Sequence, residues 1–380
     1  MKVDIAIPNL EVSGTLKYVA GLASGFKALG HQVRLLYTGE GPDWQLLDSA
    51  LGPISRERYA GTASQTLSRW FETPVIRIFA DGTFVPHQSV NIIGSLLRGR
   101  RARWLMSDSD LVIYSNFWAY PPANLLHEGG PKEVLIFHEG IESSFLPWIL
   151  RRPLQAYVRE VARNVDLSIA ITSMIARRLS NQGIVATPIY HGFWADYANG
   201  PKERLVIADT RWTRDRQPRR LVRVAQQVLG AKFVIVGRFP DPSVRDSVVR
   251  DIEAVGLKDR VQVAGPLTEE ELLALYARAM FMIRWAIPGT EAGFPYSLVQ
   301  AVSAGLIPIL SSGLGGAEHL AQEISSDLVV RSDVDFAHIL NRLFNDEHYY
   351  AEMREGVLAW RNRRPWAIVA KEILEALPYK

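Results

Sequence analysis

Short apolar runs alternate along the chain with longer stretches in which apolar positions recur at helical spacing, a pattern that predicts strands joined by crossover helices into parallel sheets. In the first half, Val3–Ile7, Gln32–Tyr37, Leu111–Tyr114, Val134–Phe137 and Leu167–Ile171 read as strands, and Leu16–Leu29 and Leu154–Asn164 as helices. The first of these helices runs into Leu29-Gly30-His31, with glycine where a left-handed cap is wanted. The pattern breaks at Tyr197-Ala198-Asn199-Gly200-Pro201-Lys202, which reads as a linker, and then restarts. Strands are predicted at Leu205–Ala208, Lys232–Val236, Val261–Ala264, Phe281–Arg284 and Ile307–Leu310. Between them, Thr268-Glu269-Glu270-Glu271 is a capping box opening a helix that carries Leu272, Leu273, Leu275 and Tyr276. The fold expected is α/β, with two doubly wound Rossmann-like domains in tandem at 1–197 and 198–365.

Composition narrows the function classes more than the fold. With 380 residues, 48% hydrophobic and 22% charged, the chain has room for two ordinary cores. The absence of cysteine excludes a disulfide framework, a thiolate metal site and a thiol nucleophile. The opening Met1-Lys2-Val3-Asp4-Ile5-Ala6-Ile7-Pro8 places an acid in its apolar run, which suits a strand and not a signal peptide. Without cysteine nothing asks for an oxidising compartment, so a cytoplasmic protein is expected, and with no stretch approaching the roughly 18 apolar residues of a membrane span, a soluble or peripheral one. A formal charge of +3 is too small to argue for nucleic acid as a partner.

Sheets of this type bind ligands beyond the carboxyl ends of their strands, so two facing domains are expected to hold the ligand in the cleft between them. The common ligands of the fold leave no mark. Neither Asn9–Gly14 nor Gly237–Pro242 carries G-x-G-x-x-G, and neither a P-loop nor an H-E-x-x-H string is present.

The richest local signal runs from Pro288-Gly289-Thr290-Glu291-Ala292-Gly293-Phe294-Pro295-Tyr296-Ser297 through Leu298-Val299-Gln300-Ala301 to Gly305-Leu306-Ile307-Pro308-Ile309. A Gly-Phe-Pro turn here opens a helix whose free backbone N–H groups and positive dipole end suit a diphosphate. Pro295 near the helix start sacrifices no needed donor. The same string also serves a helix that merely packs onto its sheet. The string resembles the donor-binding segment of the family 4 (group 1) retaining glycosyltransferases, E-G-F-[GP] followed by an apolar stretch, E-A-hydrophobic-A-x-G and a final strand. The resemblance extends upstream through Val261-Gln262-Val263-Ala264-Gly265-Pro266-Leu267 and downstream through Ser311-Ser312-Gly313-Leu314-Gly315-Gly316-Ala317-Glu318. Landmarks in the first half are Asp166-Leu167-Ser168-Ile169-Ala170-Ile171-Thr172-Ser173 and His191-Gly192-Phe193-Trp194.

What the resemblance implies is a GT-B fold, with residues 366–380 forming a helix that packs back on the first domain. It implies a nucleoside-diphosphate sugar as donor substrate, no cofactor and no metal, and a glycan, lipid-linked or small-molecule acceptor. Gly265, Gly293, Phe294, Pro295, Tyr296, Ser297 and Gln300 would bind the donor, with Gly14 as the remnant of the family's Gly-Gly loop. Arg211 and Arg216 would face the diphosphate, and His138 would donate a hydrogen bond to the transferred sugar. The family's paired glutamates are altered: Gln300 stands at the second position and would meet the ribose, and Ala292 stands at the first. Glu291, one residue early, would swing in to the sugar hydroxyls. Other GT-B sugar-nucleotide enzymes, such as an epimerase or a synthase, and a GT-B binding protein without turnover, stay open as alternatives. Two segments that mix basic, aromatic and aliphatic residues, Leu96–Trp104 and Phe145–Pro153, suit either peripheral contact with an anionic membrane at its inner face or a packed helix with solvated arginines.

Overall fold

A computed structural model describes residues 1–7, 14–37, 106–117, 119–120, 125, 129–139, 141, 148–195, 197–198 and 200–378. The chain forms two compact units: Met1–Gly192 together with Trp366–Lys380, and Phe193–Pro365.

In the first unit the order is β1 (Lys2–Ile7), α1 (Gly14–Ala28), β2 (Gln32–Tyr37), β3 (Leu111–Tyr114), β4 (Lys132–Phe137), α2 (Trp148–Asn164), β5 (Leu167–Ala170), α3 (Ser173–Ser180) and β6 (Thr187–Pro188). The strands form one sheet in the order β2-β1-β3-β4-β5-β6, and every pairing is parallel. β3 and β5 are buried along their whole length, as parallel strands covered on both faces must be. The acid in β1 has its explanation here: Asp4 is buried, and Arg34 of β2 donates to it at 2.7 and 2.6 Å while Ser109 Oγ donates at 2.6 Å. Gly30 ends α1 at φ +82°, its N–H on the Lys27 carbonyl and that of His31 on Phe26.

The second unit contains β7 (Glu203–Asp209), a 3-10 turn at Arg214–Arg216, α4 (Arg219–Gln227), β8 (Lys232–Val236), α5 (Pro242–Ala254), β9 (Val261–Gly265), α6 (Glu269–Arg278) and β10 (Ala279–Arg284). It continues with α7 (Tyr296–Ser303), β11 (Ile307–Ser311), α8 (Ala317–Glu323), β12 (Val329–Val330), α9 (Asp333–Asn345) and α10 (Glu347–Arg363). Its sheet, again parallel, has the order β12-β11-β10-β7-β8-β9, so the strand order reverses between β7 and β10. The capping box of α6 forms as the sequence predicts, Thr268 Oγ1 accepting from Glu271 N and the Glu271 carboxylate from Thr268 N. The final helix, α11 (Trp366–Ala376), lies against α1 in the first unit. There the Trp366 indole and backbone occupy a slot so tight that a Cβ on Gly21 would fall 2.0 Å from the ring and one on Gly25 2.3 Å from the Trp366 carbonyl.

Three local features depart from the sequence reading. α2 begins at Trp148 and runs through Pro153, whereas proline predicts a helix starting after it. The edge strands β6 and β12 are two residues each, too short to show periodicity. The passage between units falls at Gly192/Phe193, ahead of the 197–202 stretch. Phe193 is buried against Trp360 with ring centroids 4.8 Å apart, and its N–H donates to the Arg364 carbonyl at 2.9 Å, which commits the chain to the second core before the linker-like residues begin. Lys202, inside that stretch, is no loose linker residue either. Its Nζ donates to the carbonyls of Tyr276 and Ala304 at 3.1 and 3.0 Å, and burial lowers its pKa to about 8.

Candidate active site

In the second unit the carboxyl ends of β7 and β10 flank the point where strand order reverses, where sheets of this kind bind their ligands. Arg284, last residue of β10, is buried there at 8% exposure. Its Nη1 donates to the carbonyl of Asp209 at the end of β7 (2.7 Å) and to Ser297 Oγ in the first turn of α7 (3.2 Å). Its Nε and Nη2 donate to the Glu291 carboxylate at 3.1 and 2.5 Å, a two-point guanidinium–carboxylate pairing. Arg216 Nη1 joins the same carboxylate, and Arg216 Nε lies 3.5 Å from Asp215 Oδ2. Burial opposes charge on Arg284, but Glu291 reverses that effect and holds its pKa above the ordinary arginine value.

The start of α7 fits the expectation of an open helix N-terminus. Pro295 is the N-cap, no side chain caps the first turn and no acid stands in it. Glycine-bearing neighbours hold this segment closely. The N–H of Gly315 donates to the Glu291 carbonyl at 3.0 Å, and a Cβ on Gly315 would fall 1.8 Å from the carbonyl oxygen of Ala292. Gly265, at the end of β9, has φ +71° and accepts from the N–H of Gly237 at 2.7 Å.

The remaining expected donor residues divide. Gly293, Phe294, Pro295, Tyr296 and Ser297 lie together in the α7 entry, with Tyr296 OH accepting from Trp194 Nε1 at 3.2 Å. Gln300 is buried one turn further on, where its Nε2 donates to Tyr197 OH at 2.6 Å. Glu291 and Arg216 meet, but as partners of each other and of Arg284. Arg211 is exposed just beyond β7, with no ion pair among the described residues. Trp212, beside it, is buried, its indole N–H on the Val236 carbonyl at 2.7 Å, which anchors the loop that carries Arg211.

His138 and Gly14 belong to the first unit. Gly14 is the exposed first residue of α1, while Asn9–Ser13, Gly140, Leu96–Trp104 and Phe145–Pro147 lie outside the described residues. His138 follows β4, with its ring packed edge-on to Tyr18 at 4.9 Å. Burial lowers its pKa to about 4 although a hydrogen bond to the Ser115 backbone works the other way. Nε2 is buried without a partner among the described residues.

Sequence reasoning missed Arg284, Asp209, Tyr276 and Tyr197. Tyr276 OH, fully buried, donates to Asp209 Oδ2 at 3.3 Å. A signal for Arg284 was present, since a lone arginine ending the apolar run Phe281-Met282-Ile283 asks for a buried partner.

Comparison with known proteins places this geometry in context. Residues 196–359 match the model of glycosyl transferases group 1, and residues 12–193 that of Glycosyltransferase Family 4. A GDP-mannose:cellobiosyl-diphosphopolyprenol alpha-mannosyltransferase of Xanthomonas oryzae pv. oryzae is 29% identical over 177 residues, which are 46% of this chain and 42% of that protein. The chain thus aligns with less than half the length of this curated relative. Among solved structures, Anabaena HepE in complex with UDP has TM-score 0.72 at 14% identity, covering 99% of both chains. A sucrose-phosphate synthase from Thermosynechococcus elongatus has TM-score 0.68 at 16% identity, covering 98% of this chain and 97% of its own. At such identities these likenesses speak for the fold, two parallel sheets with flanking helices of the GT-B class.

Proposed function

Because the chain belongs to the group 1, family 4 glycosyltransferases, whose models match both of its halves, we propose that it moves a sugar from a nucleoside diphosphate to an acceptor hydroxyl, with retention at the anomeric carbon and without a metal. The observation that carries this reading is the start of α7, where no side chain caps the first turn, together with Arg211, which has no ion pair among the described residues; both lie at the carboxyl end of the second sheet. When the glycosidic bond breaks, the sugar becomes oxocarbenium-like and negative charge grows on the diphosphate. Fixed N–H groups and a guanidinium aimed at that charge lower the barrier without reorganising. Arg216 enters with its charge already balanced by Glu291, so Arg211 carries the larger share. His138, neutral at ordinary pH, accepts from a hydroxyl of the transferred sugar or of the acceptor. The departing phosphate takes the acceptor proton on the same face.

The mannosyltransferase relative is named for a polyprenyl-diphosphate-linked acceptor, which favours a lipid-linked glycan here and peripheral work at an anionic membrane surface. No helix among the described residues is long and apolar enough to cross a membrane.

The test is a panel of UDP, GDP and ADP with their sugar derivatives, scored by thermal shift and then by nucleotide release with EDTA present. A protein stabilised by none of them overturns the donor reading. Activity lost to EDTA and restored by Mg²⁺ or Mn²⁺ overturns the metal-free mechanism, and an inverted product in the NMR spectrum overturns retention. One observation favours a second reading, a binding protein without turnover: alanine and glutamine stand where the family has its glutamates, and Glu291 is engaged by arginines. Tight donor binding with neither transfer nor hydrolysis would select it.

A further inference from the structure

The acid displaced by one residue and the buried arginine at the end of β10 belong to one arrangement. Glu291 Oε2 accepts from both Arg284 Nε and Arg216 Nη1, and Oε1 accepts from Arg284 Nη2. An ionised carboxylate offers about four lone-pair sites, so three are already filled and one remains. The side chain is mostly buried, at 12% exposure, and Arg284 at 9% is more so. Arg284 is in turn fixed by the Asp209 carbonyl and Ser297 Oγ, which leaves its guanidinium no freedom to follow a moving carboxylate. Removing one member of such a buried set strands the charge of another, which holds the three in place. Ala292, at the register of the family's first glutamate, is buried and offers only a methyl group.

We propose that Glu291 is not a ligand of the transferred sugar but a positioning residue, held by Arg284, that orients the Arg216 guanidinium toward the donor diphosphate. The role rests on the donor reading above and changes where sugar selection must come from: in this chain the acidic side chain of the donor segment serves the phosphate end of the ligand. Arg284 is likewise a positioning residue here, acting on Arg216 through Glu291 while its Nη1 holds the Asp209 carbonyl and Ser297 Oγ.

The two roles separate in a binding experiment on the full chain, using calorimetry with whichever of UDP, GDP or ADP the wild type binds, alongside the corresponding sugar nucleotide. Glu291→Gln is expected to weaken the free diphosphate and the sugar nucleotide by the same factor, about tenfold. In an Arg216→Ala background the same substitution is expected to add less than about twofold, because its partner is gone. A simple loss of local packing would not disappear in that background. Should Glu291→Gln strand Arg284 and fail to fold, the paired variant Arg284→Met with Glu291→Leu replaces it and is expected to lose affinity for both ligands equally. Loss confined to the sugar nucleotide, with the diphosphate bound as in wild type, overturns the proposal while leaving the donor reading intact. Full additivity with Arg216→Ala overturns it as well. A wild type that binds no nucleoside diphosphate overturns the donor reading, and the positioning role falls with it.

Discussion

Among the described residues, the carboxyl ends of the two sheets share a parallel scaffold and carry different side chains. Beyond β7 and β10 in the second unit stand Arg211, Arg216, Arg284, Asp209, Asp215 and Glu291, most of them tied to one another. Beyond β4 in the first unit stands a ring cluster instead, with Tyr18 edge-on to His138, His191 and Trp366 at 4.9, 4.8 and 5.3 Å. There the titratable group is kept neutral by burial, while at the other end charge is retained by pairing. Among the described residues, one scaffold thus carries paired charges at one sheet and a buried ring cluster at the other.

The most direct way to break this contrast is at Arg211, an exposed cation of the second edge with no ion pair among the described residues. Arg211→Ala is expected to cost about 2.7–4 kcal/mol of transition-state stabilisation, by analogy with deleting an oxyanion donor. Turnover within a few-fold of wild type, measured as kcat/KM at saturating acceptor, would show that charge at this edge is structural. The first edge is broken sterically. Gly25→Ala gains roughly 1 kcal/mol of helix propensity but drives a methyl into the Trp366 carbonyl, so a net loss of about 3 kcal/mol in urea unfolding is expected. A neutral result would mean that α11 can slide away from α1 at little cost.

The neutral histidine sharpens the comparison through pH. His138 has a folded pKa of about 4 against 6.5 unfolded, so between those values the unfolded chain binds more protons and stability falls as pH falls. The slope inside that window is at most about 1.4 kcal/mol per pH unit, or about 2 kcal/mol from pH 6.5 to 5. His319 in the second unit, also lowered to about 4 by burial, adds its own dependence. His138→Gln is therefore expected to flatten the curve in part, leaving the His319 contribution. An unchanged pH dependence in that variant would show that the ring is solvated.

How much of this was legible in the sequence follows from distance along the chain. Strands such as Gln32–Tyr37 and Lys232–Val236, the Gly30 cap and the Thr268 capping box are written within a few consecutive residues, and they form where the pattern puts them. The α7 entry is legible for the same reason. The slot for Trp366 is not, because Gly21 and Gly25 acquire their meaning only from a residue hundreds of positions away. Nor is the engagement of Glu291: the sequence offers an acid beside a Gly-Phe-Pro turn, and only the fold brings Arg216 and Arg284 to it. The hydrogen bond of His138 to the Ser115 backbone, just beyond a neighbouring strand, likewise depends on the fold.

The smallest expected effect probes the one place where the second edge uses a neutral pair. Gln300 Nε2 donates to Tyr197 OH at 2.6 Å, so the phenol is the acceptor and its own proton is left for another partner. Tyr197→Phe removes that acceptor and leaves a buried amide N–H without it, a loss of about 1 kcal/mol in urea unfolding. Gln300→Glu restores the family's carboxylate and reverses the bond, with the phenol now donating to a stronger acceptor. It should therefore keep nucleotide affinity when Tyr197 is present and lose stability when Tyr197 is phenylalanine, since an unpaired buried carboxylate is costlier than an unpaired amide. The double-mutant cycle over positions 197 and 300 measures that dependence. If Gln300→Glu is as stable with phenylalanine at 197 as with tyrosine, the carboxylate has found other donors, and the neutral pair is not what holds this turn of α7.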